Sequence, residues 1–127
     1  MIEEGMGIMN NGYERRKYRR LPLNLTLGVS KLYKQDYIEL NDINVDLEVV
    51  DISKAGIGFR TQKELPVDYY FDGRIELVDN DFFYAVVKII RRQKLEDQNY
   101  IYGAKFVGLA PFLADKVDIY GRKIDEN

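Results

Sequence analysis

The sequence predicts an all-β fold with one C-terminal α-helix, a small closed barrel or sandwich carrying a helical lid. Three observations carry this reading. Several segments alternate apolar and polar residues with period two, short polar turns separate them, and only the tail changes to helical spacing. A chain of 127 residues has room for one domain with its own core. About six or seven short strands then leave it few ways to hide their edges other than closure.

Residues 1–12, rich in Gly and Asn, read as a flexible N-terminal leader, and residues 13–127 as a single domain. The domain begins with a basic arm, "YERRKYRR" (13–20), and then turns abruptly apolar. In "LPLNLTLGV", Leu21, Leu23, Leu25, Leu27 and Val29 share one parity, and Pro22 suits a strand start or edge. A turn at 34–36 leads to the short "YIEL" stretch. "INVDLEVVDI" repeats the alternation, and "GIGFRT" (56–61) is a short strand bounded by glycine. "GRIELV" and "FFYAVVKIIRR" flank the polar turn "DND" (79–81), which predicts a hairpin. After the loop "KLEDQN", "YIYGAKFVGL" supplies the last strand. The tail places Leu113, Val117, Tyr120 and Ile124 at helical spacing, predicting a helix over about 111–121, with Pro111 in its first turn and Gly121 fraying or ending it.

Composition narrows function. Hydrophobic residues at 46% with 31% charged suit a soluble globular chain, no window has the roughly 18 apolar residues of a membrane span, and the acidic start does not read as a secretory signal. The absence of cysteine fits the cytoplasm. The absence of histidine removes the usual general base and the commonest transition-metal ligand, so a non-enzymatic role is expected, with no metal or cofactor. The net charge is −2, yet the arm alone carries +4 (five cations and Glu14), which leaves the body at −6. Such a body repels a nucleic-acid polyanion; a compact anion suits the asymmetry better.

Two segments carry candidate chemistry. Arg15, Arg16, Arg19 and Arg20 present planar forks that match a phosphate or the O6/N7 edge of guanine. Self-repulsion and chain entropy are expected to hold the arm open until an anion neutralises it. The competing reading is a solvated basic run. In "DISKAGIGF" (51–59), Asp51 and Ser53 continue the inward parity of Val49 if the pleat persists, setting a carboxylate and a hydroxyl on one side of a barrel rim. Asp51 would accept from guanine N1 and N2, and Ser53 would donate to a phosphate or anchor the turn. Gly56 and Gly58 allow close backbone approach or positive φ. The competing reading is a plain Asp–Ser turn between strands. Tyr18 either stacks on a base or packs on the barrel. Arg91 and Arg92 either add charge near a ligand or mark a strand end reaching solvent. Asp79 and Asp81 read as a turn before they read as a metal site.

Taken together, R-x-x-x-R (overlapping as Arg15–Arg19 and Arg16–Arg20) followed by D-x-S-x-x-G at Asp51, Ser53 and Gly56 closely resembles the PilZ domain family. "VKIIRR" and "YGAKFVGL" also look like that family's later strands, so the resemblance runs over roughly 13–121. It implies a six-stranded antiparallel β-barrel with a C-terminal helix, a bacterial receptor for the second messenger cyclic di-GMP, and a downstream protein partner. By the match, Arg16 and Arg20 are the paired arginines, with Arg15 the extra one before them. Asp51, Ser53 and Gly56 would close on a guanine from the barrel side. The overlap leaves Arg15 with Arg19 as the other register. Position 55 is Ala where family members often carry Gly, a departure that crowds the turn. The alternative function is a nucleotide-independent interaction module whose basic arm docks an acidic partner.

Overall fold

Nine residues of clean alternation make β1 (Leu21–Val29), with Leu21, Leu23, Leu27 and Val29 buried and Pro22, Asn24, Thr26 and Gly28 exposed. The computed structural model describes residues 18–34 and 38–126. It continues with the two-residue strands β2 (Leu32–Tyr33) and β3 (Glu39–Leu40), then β4 (Val45–Ile52), β5 (Gly56–Thr61), β6 (Tyr70–Glu76), β7 (Phe82–Lys94), β8 (Tyr100–Val107) and α1 (Pro111–Asp125). The arm residues 13–17 lie outside the described residues.

All the strand pairs are antiparallel, in the order β1-β4-β5-β8-β7-β6-β2-β3. Six long strands form the sheet, and the β2–β3 hairpin extends one edge. Among the described residues no ladder joins β1 to the opposite edge, so the expected closure into a barrel is not made by backbone hydrogen bonds. Side chains approach across the gap instead: Leu27 of β1 lies over Gly73 on β6, where an added Cβ would stand 3.6 Å from its Cδ1. The β6–β7 turn is tight because Asp79 and Asn80 both take positive φ, 57° and 63°, and the Asp81 N–H donates to the Val78 carbonyl at 3.0 Å. Asp and Asn tolerate that geometry, and it matches the twist of a hairpin. The two flanking acids pair with lysines of the helix, Asp81 with Lys116 and Asp79 with Lys123.

Inward side chains of the six long strands build one core in which Phe59 stacks on Tyr102 with ring centroids 4.9 Å apart. The Tyr102 hydroxyl donates to the Lys63 carbonyl (2.9 Å) and accepts from the Leu65 N–H (2.7 Å), tying the β5–β6 loop to the core. Helix α1 starts at Pro111 and runs through Gly121, where it was expected to fray or end, to Asp125. Tertiary packing explains the difference. A Cβ at Gly121 would stand 3.2 Å from Leu21, so glycine lets the helix settle on the start of β1. Val117 and Tyr120 are buried there, and the Tyr120 hydroxyl donates to the Pro22 carbonyl. The helix is thereby fixed beside the point where the basic arm enters the sheet. No helix among the described residues is long and apolar enough to cross a membrane.

Candidate functional site

The site is set by two places where the strand pleat breaks. Val45, Leu47 and Val49 point inward, and unbroken alternation would send Asp51 after them. Instead Val49 pairs with Phe59 and Asp51 with Gly58, leaving Val50 as an extra residue. This β-bulge flips the parity, so Ile52 is fully buried and Asp51 turns to the outer face. The expectation that Asp51 and Ser53 continue the side of Val49 is therefore wrong, because pairing across the sheet overrides local periodicity.

Strand β7 repeats the device. Phe83, Ala85, Val87 and Ile89 are buried, Ile89 pairs with Ala104 and Arg91 with Gly103, and Ile90 is the extra residue. Arg91 is thereby turned outward. Gly58 pairs with Gly103, so Asp51, Gly58, Gly103 and Arg91 form one cross-strand row over β4, β5, β8 and β7. A bare glycine floor lies between a carboxylate and a guanidinium.

Arg20 covers the first half of that floor. Its Nη2 donates to Asp51 Oδ1, with the two side chains 25% and 32% exposed. A Cβ on Gly58 would stand 2.8 Å from Asp51 Oδ1 and 3.1 Å from Arg20 Nη2, so the pair rests on backbone that only glycine leaves open. Ser53 is buried; its N–H donates to the Gly56 carbonyl (2.9 Å) and its Oγ accepts from the Ala55 N–H (3.1 Å). Ser53 thus anchors the turn from within the lining of the cleft on the sheet side. Gly56 serves close approach, not positive φ: a Cβ there would collide with the Ala104 carbonyl. Ala55 is exposed in the turn, and its carbonyl accepts from the Phe106 N–H at 2.8 Å.

Arg19 points away from this group. Its guanidinium makes a two-pronged pair with the Asp125 carboxylate on α1, both contacts at 2.7 Å. That bond holds the Asp125 carboxyl below the ordinary aspartate value and raises Arg19. Tyr18 stays on the same helix side, 5.7 Å from the Lys54 ammonium, and Lys54 pairs with Asp118. Of the residues singled out from sequence, Arg20, Asp51, Ser53 and Gly56 come together; Arg15 and Arg16 lie outside the described residues.

Two clefts result. The helix-side groove, about 430 Å³, is lined by Arg19, Lys54, Asp118, Arg122 and Asp125, and its two carboxylates are taken up by Arg19 and Lys54. The sheet-side cleft, about 350 Å³, is lined by Arg20, Ser53, Gly56, Arg91, Gly103 and Lys105, among others, and its lining includes no carboxylate. The second has the larger cationic excess, three cations in its lining against one left over in the first. Sequence reasoning left Arg91 undecided and did not single out Gly103 or Lys105. The available signal was a glycine inside the otherwise apolar strand "YIYGAKFV", which marks a close approach. Arg92, one residue on, is engaged in holding the fold, donating to the Leu65 carbonyl at 2.9 Å and pairing with Glu64.

A family model described as the PilZ domain matches residues 14–113. Among solved structures, the chain is similar to YcgR in complex with c-di-GMP from Escherichia coli, with a TM-score of 0.64 and 14% identity. That match covers 88% of this chain and 46% of the other, so the chain spans less than half the length of that protein. It is also similar to the PilZ domain with c-di-GMP of YcgR from Escherichia coli, with a TM-score of 0.58 and 17% identity, covering 88% of this chain and 95% of that one. At such identities the likeness is one of fold. No curated protein sequence matches the chain.

Proposed function

The chain belongs to the PilZ domain family, and on that premise we propose that it is a non-enzymatic receptor for cyclic di-GMP. The observation that carries the reading is the Arg20–Asp51 pair poised on Gly58 at the mouth of a cationic cleft. In this state each group neutralises the other. A guanine edge offers N1–H and N2–H donors that replace Arg20 on Asp51, while a phosphate offers oxygens that replace Asp51 on Arg20. One partly exposed ion pair, worth about 1 kcal/mol, is exchanged for several charge-assisted contacts of roughly 1.5–3 kcal/mol each. A simple anion or a neutral base satisfies one side of that exchange only; a guanine nucleotide satisfies both.

The direction of Arg20 toward Asp51, and of Arg19 toward the helix, supports the register in which Arg16 and Arg20 are the motif pair, with Arg15 before them. It also supplies a route to a downstream protein partner. The arm is tied to α1 through Arg19 and Asp125, so drawing the arm over the sheet-side cleft works against that tie and alters the surface at the end of the helix.

Titration calorimetry with cyclic di-GMP tests the reading. Wild-type protein is expected to bind, and Arg20→Ala and Asp51→Ala are each expected to lose at least tenfold in affinity. Arg20→Lys tests the rival role of the arm as a bulk positive charge: full retention of affinity in that variant speaks against the two-sided exchange. No heat at high micromolar ligand sinks the receptor reading.

A further inference from the structure

Resting on that receptor reading, we infer that Arg91 and Lys105 form a second anion subsite on the sheet side of the cleft, where Arg91 grips a phosphate of the dinucleotide together with Arg20. Neither residue belongs to the arm or to the D-x-S-x-x-G turn. The bulge at Ile90 is what brings Arg91 here: without it the side chain would share the parity of Phe83, Ala85, Val87 and Ile89, all buried. A strand end simply running into solvent needs no such re-aiming.

The guanidinium does not extend into solvent either. It lies back over the floor, so that a Cβ on Gly103 would stand 2.8 Å from its Cζ and 3.1 Å from Nε and Nη2. Gly58, directly opposite on the paired strand, carries the Arg20 guanidinium in the same manner. Paired residues of neighbouring antiparallel strands stand about 5 Å apart, so the two guanidiniums lean over adjacent floor positions. Asp51 neutralises only Arg20. Among the described residues the side chains of Arg91 and Lys105 make no hydrogen bond or ion pair, whereas Arg19, Arg60, Arg74 and Arg92 each have a carboxylate.

The neighbouring pairing adds to the imbalance. Lys105 stands opposite Lys88 in the β7–β8 ladder, a like-charge pair that costs stability in a sheet. An acidic protein that leaves three cations around one glycine floor, with one carboxylate among them, holds a site for a multiply charged anion. The fork geometry of Arg91 suits two oxygens of one phosphate, and Lys105 adds a point charge beside it. The glycines keep the floor flat enough for a purine to lie between the two anchors.

Calorimetry of wild type, Arg91→Ala, Arg91→Lys, Lys105→Ala and the exposed-strand control Lys94→Ala, all at one salt concentration, decides the matter. Arg91→Ala is expected to weaken cyclic di-GMP binding about 10- to 100-fold with the melting temperature unchanged. Arg91→Lys should recover part of that loss, Lys105→Ala should cost a few-fold, and Lys94→Ala should match wild type. Wild-type binding with Arg91→Ala within twofold of it overturns this inference and leaves the receptor reading standing. An equal loss in Lys94→Ala also overturns it, since a diffuse field would then suffice. No binding by wild type overturns the receptor reading and this inference together.

Discussion

Replacing Gly58 by Ala should disrupt the ligand-competent arrangement while leaving the fold intact, whereas Gly56→Ala should destabilise the fold itself. The added methyl at position 58 meets two side-chain ends, Asp51 Oδ1 at 2.8 Å and Arg20 Nη2 at 3.1 Å, and both can swing aside. Losing a pair that is 25% and 32% exposed costs about 1 kcal/mol. Removing a glycine from a strand interior returns roughly 0.5–1 kcal/mol. The net change is close to zero, so the melting temperature should stay within about 2 °C of wild type. Affinity for cyclic di-GMP, by contrast, loses the charge-assisted contacts of a displaced Asp51 and Arg20, a fall of about 10- to 100-fold. At position 56 the methyl meets the Ala104 carbonyl and the Lys105 Cα, which are backbone and cannot swing. Strands β5 and β8 must part there, and each buried backbone group left without a partner costs about 1–3 kcal/mol. A loss of about 3 kcal/mol lowers the melting temperature by roughly 10 °C. Thermal denaturation followed by circular dichroism, with calorimetry on the folded variants, makes the comparison. Equal destabilisation by the two substitutions, or wild-type affinity in Gly58→Ala, refutes the reasoning.

Tyr102→Phe leaves the ring stack on Phe59 in place but strips the Leu65 N–H and the Lys63 carbonyl of their partner. It should cost about 1–3 kcal/mol in denaturant unfolding, and a loss under about 0.3 kcal/mol would show that water replaces the hydroxyl. The Asp125 carboxyl is held below its ordinary value of 3.8, first by the hydrogen bond from Arg19. A depressed carboxyl adds stability above its unfolded value and loses it as pH falls through the lower folded value. The tie between arm and helix is therefore expected to weaken only on the acid side of 3.8, and because both groups are exposed, salt should shrink the effect. An NMR titration of Asp125 with its midpoint at or above 3.8, unmoved by Arg19→Ala, would count against the tie.

Most of the strand framework is legible in single residues. The alternation of Leu21, Leu23, Leu27 and Val29 sets which face of β1 is buried, and Asp79–Asn80 sets the hairpin turn, because both depend only on local backbone geometry. The shift to helical spacing at Pro111 is equally local, but the end of α1 is not. Gly121 reads as a terminus from its own propensity, and only the presence of Leu21 beneath it makes a glycine useful in mid-helix. The motif residues Arg20, Asp51, Ser53 and Gly56 could be named from their spacing, whereas their relation to one another could not.

Sequence by itself determined the all-β class, the single C-terminal helix and the identity of the D-x-S-x-x-G turn, since periodicity and residue type are properties of one segment. Tertiary structure alone decided where Asp51 and Arg91 face, which of Arg19 and Arg20 meets the sheet, and which two glycines lie between Asp51 and Arg91. The physical reason is the nature of a bulge. Val50 and Ile90 are extra only when counted against Phe59–Gly58 and Ala104–Gly103 on neighbouring strands, so no reading of one strand reveals them. Each reverses every side chain beyond it, and the cationic cleft exists because two such reversals fall on either side of Gly58 and Gly103.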